Sequence, residues 1–299
     1  MKKKLLFILF ILLYFPSGLM AALQEDNLMD NVFTRFQAII AERGGDPDSI
    51  VRDDMDVVKS IPFEVELSGQ DVTLYAVKIV LSEPEAGQKQ HVTLIVDETG
   101  NVQLDGVLAR LNTGQSIHQE VMDELERLEN DPGVGDVLFQ GSGDADVLYL
   151  SDPFCPYCRN AYSYLLDQKD RINELKIAHF PLDPGSGAVA LTFLMMEFKE
   201  KDIYQQVVDF AYELDRKKLT DDADLAVIRL FNQKFEIYTR TPEDVFEALQ
   251  EKHGETLSRE MEKIQAIGIS GTPVIIIDGI RIDGFNRDRV DSLLDKAVK

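Results

Sequence analysis

Only two cysteines occur in the 299 residues, and they stand together as Cys155-Pro156-Tyr157-Cys158. Their surroundings constrain the fold more than any other feature of the chain. Residues 147–150 form a compact apolar run of the kind that makes a strand buried on both faces. Residues 155–166 carry a helical pattern, and 175–180 read as a second buried strand. Strand, helix and strand in this order make a βαβ unit, whose two strands run parallel. The cysteine pair therefore lies at a strand-to-helix turn, with its first sulfur at the helix N-terminus, where free N–H groups and the helix dipole favour thiolate over thiol. Pro156 suits the first helical position, because its φ is already helical and its missing N–H would have found no partner there. Cys158 falls one turn in, within reach of a mixed disulfide formed at Cys155. The spacing predicts a nucleophilic Cys155 and a resolving Cys158.

Other uses of such a pair are less well served. A structural zinc site takes four ligands, commonly from two such pairs. Here there is one pair, and His179 and His253 lie far along the chain. Covalent haem attachment needs a histidine directly after the second cysteine, and Arg159 stands there. A purely structural disulfide across so short a loop removes little unfolded-state entropy. Zinc and a structural disulfide remain the minor alternatives. No metal and no cofactor are expected.

The start of the chain reads as an address. Lys2, Lys3 and Lys4 precede an apolar run over 5–15, Pro16-Ser17-Gly18 breaks it, and Leu19-Met20-Ala21-Ala22 follows. This is the three-part layout of a secretory signal peptide, cleaved after Ala21 or Ala22; stretched through Ala22, the run would serve instead as an uncleaved anchor. Export places the thiols in an oxidising compartment. The formal charge of -22 repels phosphate backbones, so nucleic acid is excluded as a partner.

Two further parts follow. Leu28, Val32, Phe36 and Ile40 keep a four-residue stride that Gly44-Gly45 stops, predicting a helix over 27–43. Runs at 61–67, 72–81, 91–96 and 102–108 predict a four-stranded antiparallel meander, and 116–129 a connecting helix. Beyond a short strand at 137–139 and the βαβ unit, the sequence predicts helices at 188–198, 203–214, 225–231, 242–249 and 257–267. Thr241 caps the fourth of these, with Pro242 first in the helix. Strands at 274–277 and 280–282 and a helix at 287–298 close the chain. The domains expected are a signal peptide at 1–22, an α+β domain at 23–114, a connecting helix and linker at 115–133, and an α/β domain at 134–299 with a helical insert at about 184–268.

The run Asp152-Pro153-Phe154-Cys155-Pro156-Tyr157-Cys158, with the later Gly271-Thr272-Pro273, resembles the thioredoxin-fold thiol-disulfide interchange proteins of the bacterial periplasm. These are the Dsb family, and the resemblance is nearest to its DsbC/DsbG branch; it covers 136–299. It implies a cis Pro273 facing the reactive pair, a backbone at Thr272 that receives the substrate as an added strand, and Pro156 and Tyr157 bordering that substrate. A proline opening a buried strand is the position at which strands tolerate one, and an ordinary trans proline is the other reading. Three features depart from the pattern or divide it. Tyr149 stands six residues before Cys155, where many relatives carry a buried acid, so another group or water must take the proton of Cys158. Asp152 suits the DsbC/DsbG pattern and equally an exposed N-cap-type aspartate. The long insert is more like DsbA.

The N-terminal helix and meander resemble in outline the dimerisation module of DsbC and DsbG; an accessory domain of unrelated role is the alternative. Tyr162 and Tyr164 border a peptide groove or join the core, and Met195, Met196 and Phe198 pack between helices. Asp221, Asp222 and Asp224 form a helix N-terminal acidic cluster, and His179 receives no role. The expected fold is thus α/β, a thioredoxin-like fold with a long helical insertion behind a smaller α+β domain. The expected protein is a periplasmic thiol-disulfide oxidoreductase, of the isomerase or reductase type, acting on disulfide-containing clients. It would work with a membrane or periplasmic thiol partner, as a homodimer. A DsbA-like oxidase, or a chaperone with an incidental cysteine pair, are the alternatives.

Overall fold

The computed structural model describes residues 22–67, 69–83, 88–219 and 222–297. The expected signal segment, up to Ala21, lies outside them, as does Asp221. The described chain forms two compact units, one up to Leu125 and one from Glu126.

The first unit opens with helix α1 (Glu25–Glu42), followed by strands β1 (Met55–Leu67), β2 (Gln70–Glu83) and β3 (Gln88–Asp97) in an antiparallel meander of that order. The alternation of β2 decides which side each residue serves. Tyr75, Val77, Ile79 and Leu81 pack with Leu28, Met29 and Val32 of α1. On the other face Leu74 joins Val65 and Ile95, and Ala76 meets Val121 and Leu125. The latter two belong to helix α2 (Ile117–Glu126), which follows the two-residue strands β4 (Ala109–Arg110) and β5 (Gln115–Ser116). The expected fourth strand at 102–108 does not form. Gln103 makes a single bridge to Val96, after which Asp105 and Gly106 (φ 110°) turn the chain away. Leu104 and Leu108 tuck against the Val65–Leu74–Ile95 cluster instead, which gives this apolar run a strand-like look without a ladder. The turn before it presses on α1: a Cβ on Gly100 (φ 71°) would fall 2.6 Å from Leu28 Cβ.

The second unit runs β6 (Asp136–Gln140), β7 (Ala145–Ser151), α3 (Pro156–Leu166), β8 (Ile172–His179), α4 (Ala188–Phe198), α5 (Tyr204–Glu213), α6 (Ala223–Phe235), α7 (Pro242–Ala266), β9 (Val274–Ile277), β10 (Ile280–Asp283) and α8 (Arg287–Ala297). Its sheet has the order β10-β9-β7-β8-β6, with β7 and β8 parallel and the other pairs antiparallel. Because β7 and β9 are buried on both sides, each feeds two cores. Val147, Tyr149, Ile275 and Ile277 pack with α3, the inserted helices α4 to α7 and α8. Leu148, Leu150, Val274 and Ile276 pack with Ala178, Phe180, Ile264 and Ile269. Met195, Met196 and Phe198 lie in the first of these cores, as expected of helix packing.

The two helices expected at 242–249 and 257–267 are one, α7, capped by the Thr241 hydroxyl, which accepts from Asp244 N at 3.2 Å. The intervening residues are polar because that stretch faces outward, and Gly254 sits in the helix with only ordinary contact around its Cα. The acidic cluster divides its work. Asp222 caps α6 by accepting from Leu225 N, and Asp224 accepts from Ala190 N on α4, with burial raising its pKa. Among the described residues no helix is long and apolar enough to cross a membrane.

Candidate active site

Strand β7 ends at Ser151, and Asp152, Pro153 and Phe154 turn the chain into α3. The Asp152 carboxylate holds that turn from within. It is 4% exposed and accepts from Phe154 N at 2.7 Å and Leu182 N at 2.9 Å. Of the two readings open for it, the exposed cap is not found: Asp152 lies three residues before the N-cap Cys155 and ties two loops together below the surface. Cys155 takes the N-cap position, with extended backbone (φ -73°, ψ 123°) and no side-chain cap bond. Pro156 is the first residue of α3, as its chemistry predicts. Arg159, one turn in, braces the arrangement: Nε donates to Pro153 O at 2.7 Å and Nη2 to Leu214 O at 2.6 Å, with the guanidinium 5.7 Å from the Phe154 ring.

The two thiols are free and differ in access. Cys155 is half-buried, with Sγ 3.8 Å from Thr272 O. Cys158 is fully buried, and burial pushes its thiol up to about 11. The Thr272 and Ser151 hydroxyls and the Asp152 backbone favour its anion, while neighbouring Cys155 disfavours it. Thr272, 117 residues beyond Cys155 in sequence, thus lies against the pair, and the Thr272–Pro273 peptide is cis. The Thr272 hydroxyl is buried and makes no hydrogen bond. Tyr157, 68% exposed, stands at the rim beside Cys155. A cavity of about 440 Å³ opens next to it, lined by Phe154, Pro156, Arg159, Asp215, Arg216 and Lys217.

Beneath Cys158 the structure joins Tyr149 to two groups that no sequence signal marks, Ser151 and Tyr212. Tyr212 on α5 donates its hydroxyl to Ser151 Oγ (2.5 Å). Ser151 donates to the Tyr149 hydroxyl (2.9 Å), and Tyr149 to the carbonyl of Cys158 (2.6 Å). All three are buried, and burial holds both phenols far above their ordinary pKa, so they are neutral. Tyr162 stacks on Tyr212 with ring centres 4.1 Å apart and donates to Asp209 at 2.7 Å, so it belongs to the core. Tyr164 turns the other way, to Asp291 and Phe285. His179 is buried at the end of β8 with neither ring nitrogen hydrogen-bonded.

Among solved structures the chain is similar to a periplasmic thioredoxin-like protein from Salmonella enterica serovar Typhimurium, at 20% identity over 57% of this chain and 92% of that one, with a TM-score of 0.43. It is also similar to the thiol-disulfide exchange protein alpha-DsbA2 from Wolbachia pipientis (16% identity, 54% and 86% covered, TM-score 0.39). A third likeness is to oxidised BdbD from Bacillus subtilis (16%, 55% and 92%, 0.42). These likenesses do not single out a DsbC/DsbG branch. No curated protein matches the sequence. Residues 134–296, more than half of the chain, match the thioredoxin family, and they hold the five-stranded sheet and the cysteine pair. The chain therefore belongs to the thioredoxin family.

Proposed function

We propose that the protein is an exported thiol-disulfide oxidoreductase of the Dsb type, working in the periplasm on protein clients. The observation that carries this reading is the asymmetry of the pair. One sulfur is reachable at a helix N-terminus, and the other is shut in behind it with its thiol pushed up to about 11. In the forward direction Cys155 Sγ attacks a client disulfide. One client sulfur leaves as a thiol and a mixed disulfide forms. Cys158 Sγ then attacks Cys155 Sγ, a Cys155–Cys158 bond replaces the mixed one, and the second client sulfur departs with the proton lost by Cys158. Two electrons pass from the pair to the client. The client lies as an extended strand against the backbone at Thr272 and Pro273, with Pro156 and Tyr157 bordering it.

Within this chemistry we favour the isomerase or reductase direction. The separate helix-and-sheet unit ahead of the catalytic one supports it, since a paired copy of that unit would hold two reactive sites over one client. The insert of four helices between β8 and β9 supports the second reading, a DsbA-like oxidase.

Trapping tests the core proposal: Cys158→Ser should accumulate mixed disulfides with clients on non-reducing gels, and Cys155→Ser none. Equal trapping by both variants, or by neither, would sink it and leave a chaperone with an incidental pair. Equilibration with glutathione separates the two directions, because oxidants and reductants differ in that constant. Sedimentation of the full chain tests the dimer.

A further inference from the structure

We infer that the cavity between the start of α3 and the end of α5 is a specificity site, which takes a client segment with an acidic side chain within two residues of its reactive cysteine. The inference rests on the oxidoreductase reading and narrows its class of client. Phe154 and Pro156, one on each side of Cys155 in the chain, form the apolar wall of this cavity of about 440 Å³, and Arg159, Asp215, Arg216 and Lys217 form the rest. Its volume lies within the range of clefts that enclose ligands, about 300–1,000 Å³. A client bonded to Cys155 Sγ brings its flanking residues within reach of it, because extended chain advances only about 3.3 Å per residue.

Charge selects the client. Three cationic side chains line the cavity against one carboxylate. That carboxylate, Asp215, is engaged in holding the turn after α5, where it accepts from Lys217 N at 3.0 Å. Arg159 is fixed by the Pro153 and Leu214 carbonyls, which orient its guanidinium without neutralising it. Arg216 pairs with Asp183 at 3.0 Å, but both are exposed and solvent weakens such a pair. The Lys217 ammonium is exposed and, among the described residues, has neither an ion-pair nor a hydrogen-bond partner. This positive surplus stands in a chain of formal charge -22, whose field as a whole repels acidic segments and draws in basic ones. A cationic patch beside the nucleophile reverses that preference over the short range, about 8–10 Å, at which charges act in physiological salt. The wall made by Phe154 and Pro156 suits the methylene stem of a glutamate, whose carboxylate then meets Arg159 and Lys217.

The experiment uses the reduced full chain and two short peptide disulfides, identical except that the residues flanking each cysteine are Glu in one and Lys in the other. Cys155 Sγ attacks the peptide disulfide, one peptide leaves as a thiol, and the rate of that release is read at low and at high salt. Each rate is divided by the rate of 2-mercaptoethanol with the same probe, which removes the intrinsic reactivity of the disulfide. The Glu probe should react about tenfold faster than the Lys probe at low salt, the product of two exposed charge contacts worth a few-fold each. The ratio should fall toward one at about 1 M salt, where screening sets in within about 3 Å. Lys217→Glu should bring the low-salt ratio to one or below. Lys201→Glu makes the same change of net charge at the other end of α5 and should keep the wild-type ratio. A Lys probe that reacts as fast as the Glu probe in the wild type, a ratio that survives high salt, or a wild-type ratio in Lys217→Glu would each overturn the inference while leaving the oxidoreductase reading intact. Equal loss of preference in both charge variants would overturn it as well, by assigning the preference to the field of the whole molecule. A wild-type chain that releases no thiol from either probe would overturn both readings together.

Discussion

His179 offers a measurable test of the packing in the catalytic unit. Its ring is enclosed at the end of β8, and burial pushes its pKa down to about 4, with Lys199 adding to that effect and Asp136 opposing it. In the unfolded chain the same ring titrates near 6.5. Between these values the unfolded state takes up a proton that the folded state refuses, so stability is complete above about pH 6.5 and is lost as pH falls toward 4. At about 1.4 kcal/mol for each pKa unit, that gap amounts to about 3 kcal/mol. The perturbation is His179→Leu, which fills nearly the same space and cannot be protonated. Urea unfolding of both chains, followed by tyrosine fluorescence and circular dichroism, gives the free energy at each pH. Carboxylates such as Asp131 and Asp291, whose pKa values are lowered by Lys176 and Arg171, also lose stabilisation in acid, but they do so in both chains and cancel in the difference. The wild type should weaken relative to His179→Leu by about 3 kcal/mol between pH 6.5 and 4. Parallel pH profiles, or a His179 ring that titrates near 6.5 by NMR, would refute the argument.

Two further outcomes follow from geometry already given. Asp152→Ala strands the N–H groups of Phe154 and Leu182 and should cost about 2 to 4 kcal/mol in thermal unfolding, while Asp152→Asn, which keeps an acceptor, should cost less. Gly100→Ala must place a Cβ 2.6 Å from Leu28 at a positive φ. It should destabilise the first unit by about 2 to 4 kcal/mol, with Cys155 alkylation in the second unit unchanged.

How much of this was legible from residue order varies from element to element, for physical reasons. Strands β7 and β9 announced themselves because both faces are buried, and helix α4 because nearly all of it is. The cysteine pair and Gly271-Thr272-Pro273 were readable as separate motifs, and only the fold brings them within 3.8 Å. The run at 102–108 misled because apolar residues that plug a sheet from a loop look like residues that extend it. The outward polar stretch around Gly254 looked like a gap between helices because propensity and periodicity carry no information on continuity there. Asp152 stayed ambiguous because an aspartate just before a helix is usually a cap, and nothing in the sequence reveals that Leu182 returns to claim it. Ser151 and Tyr212 were out of reach: 61 residues separate them, and neither residue type signals thiol chemistry.

Helix α5 and its end grip the reactive turn from behind at two points. Tyr212 holds Ser151, just ahead of the turn, and the Leu214 carbonyl holds Arg159, just past it, with Arg159 also clasping Pro153 between them. In mechanical terms the inserted helices are a strut, and the segment carrying Cys155 is slung between its two anchor points. Lengthening or tilting α5 would displace both anchors at once, so the insert is not a cassette that can be exchanged between scaffolds while the motif stays put. Changes in its length and changes at positions 151 and 159 would have to be made together for the two sulfurs to keep their spacing.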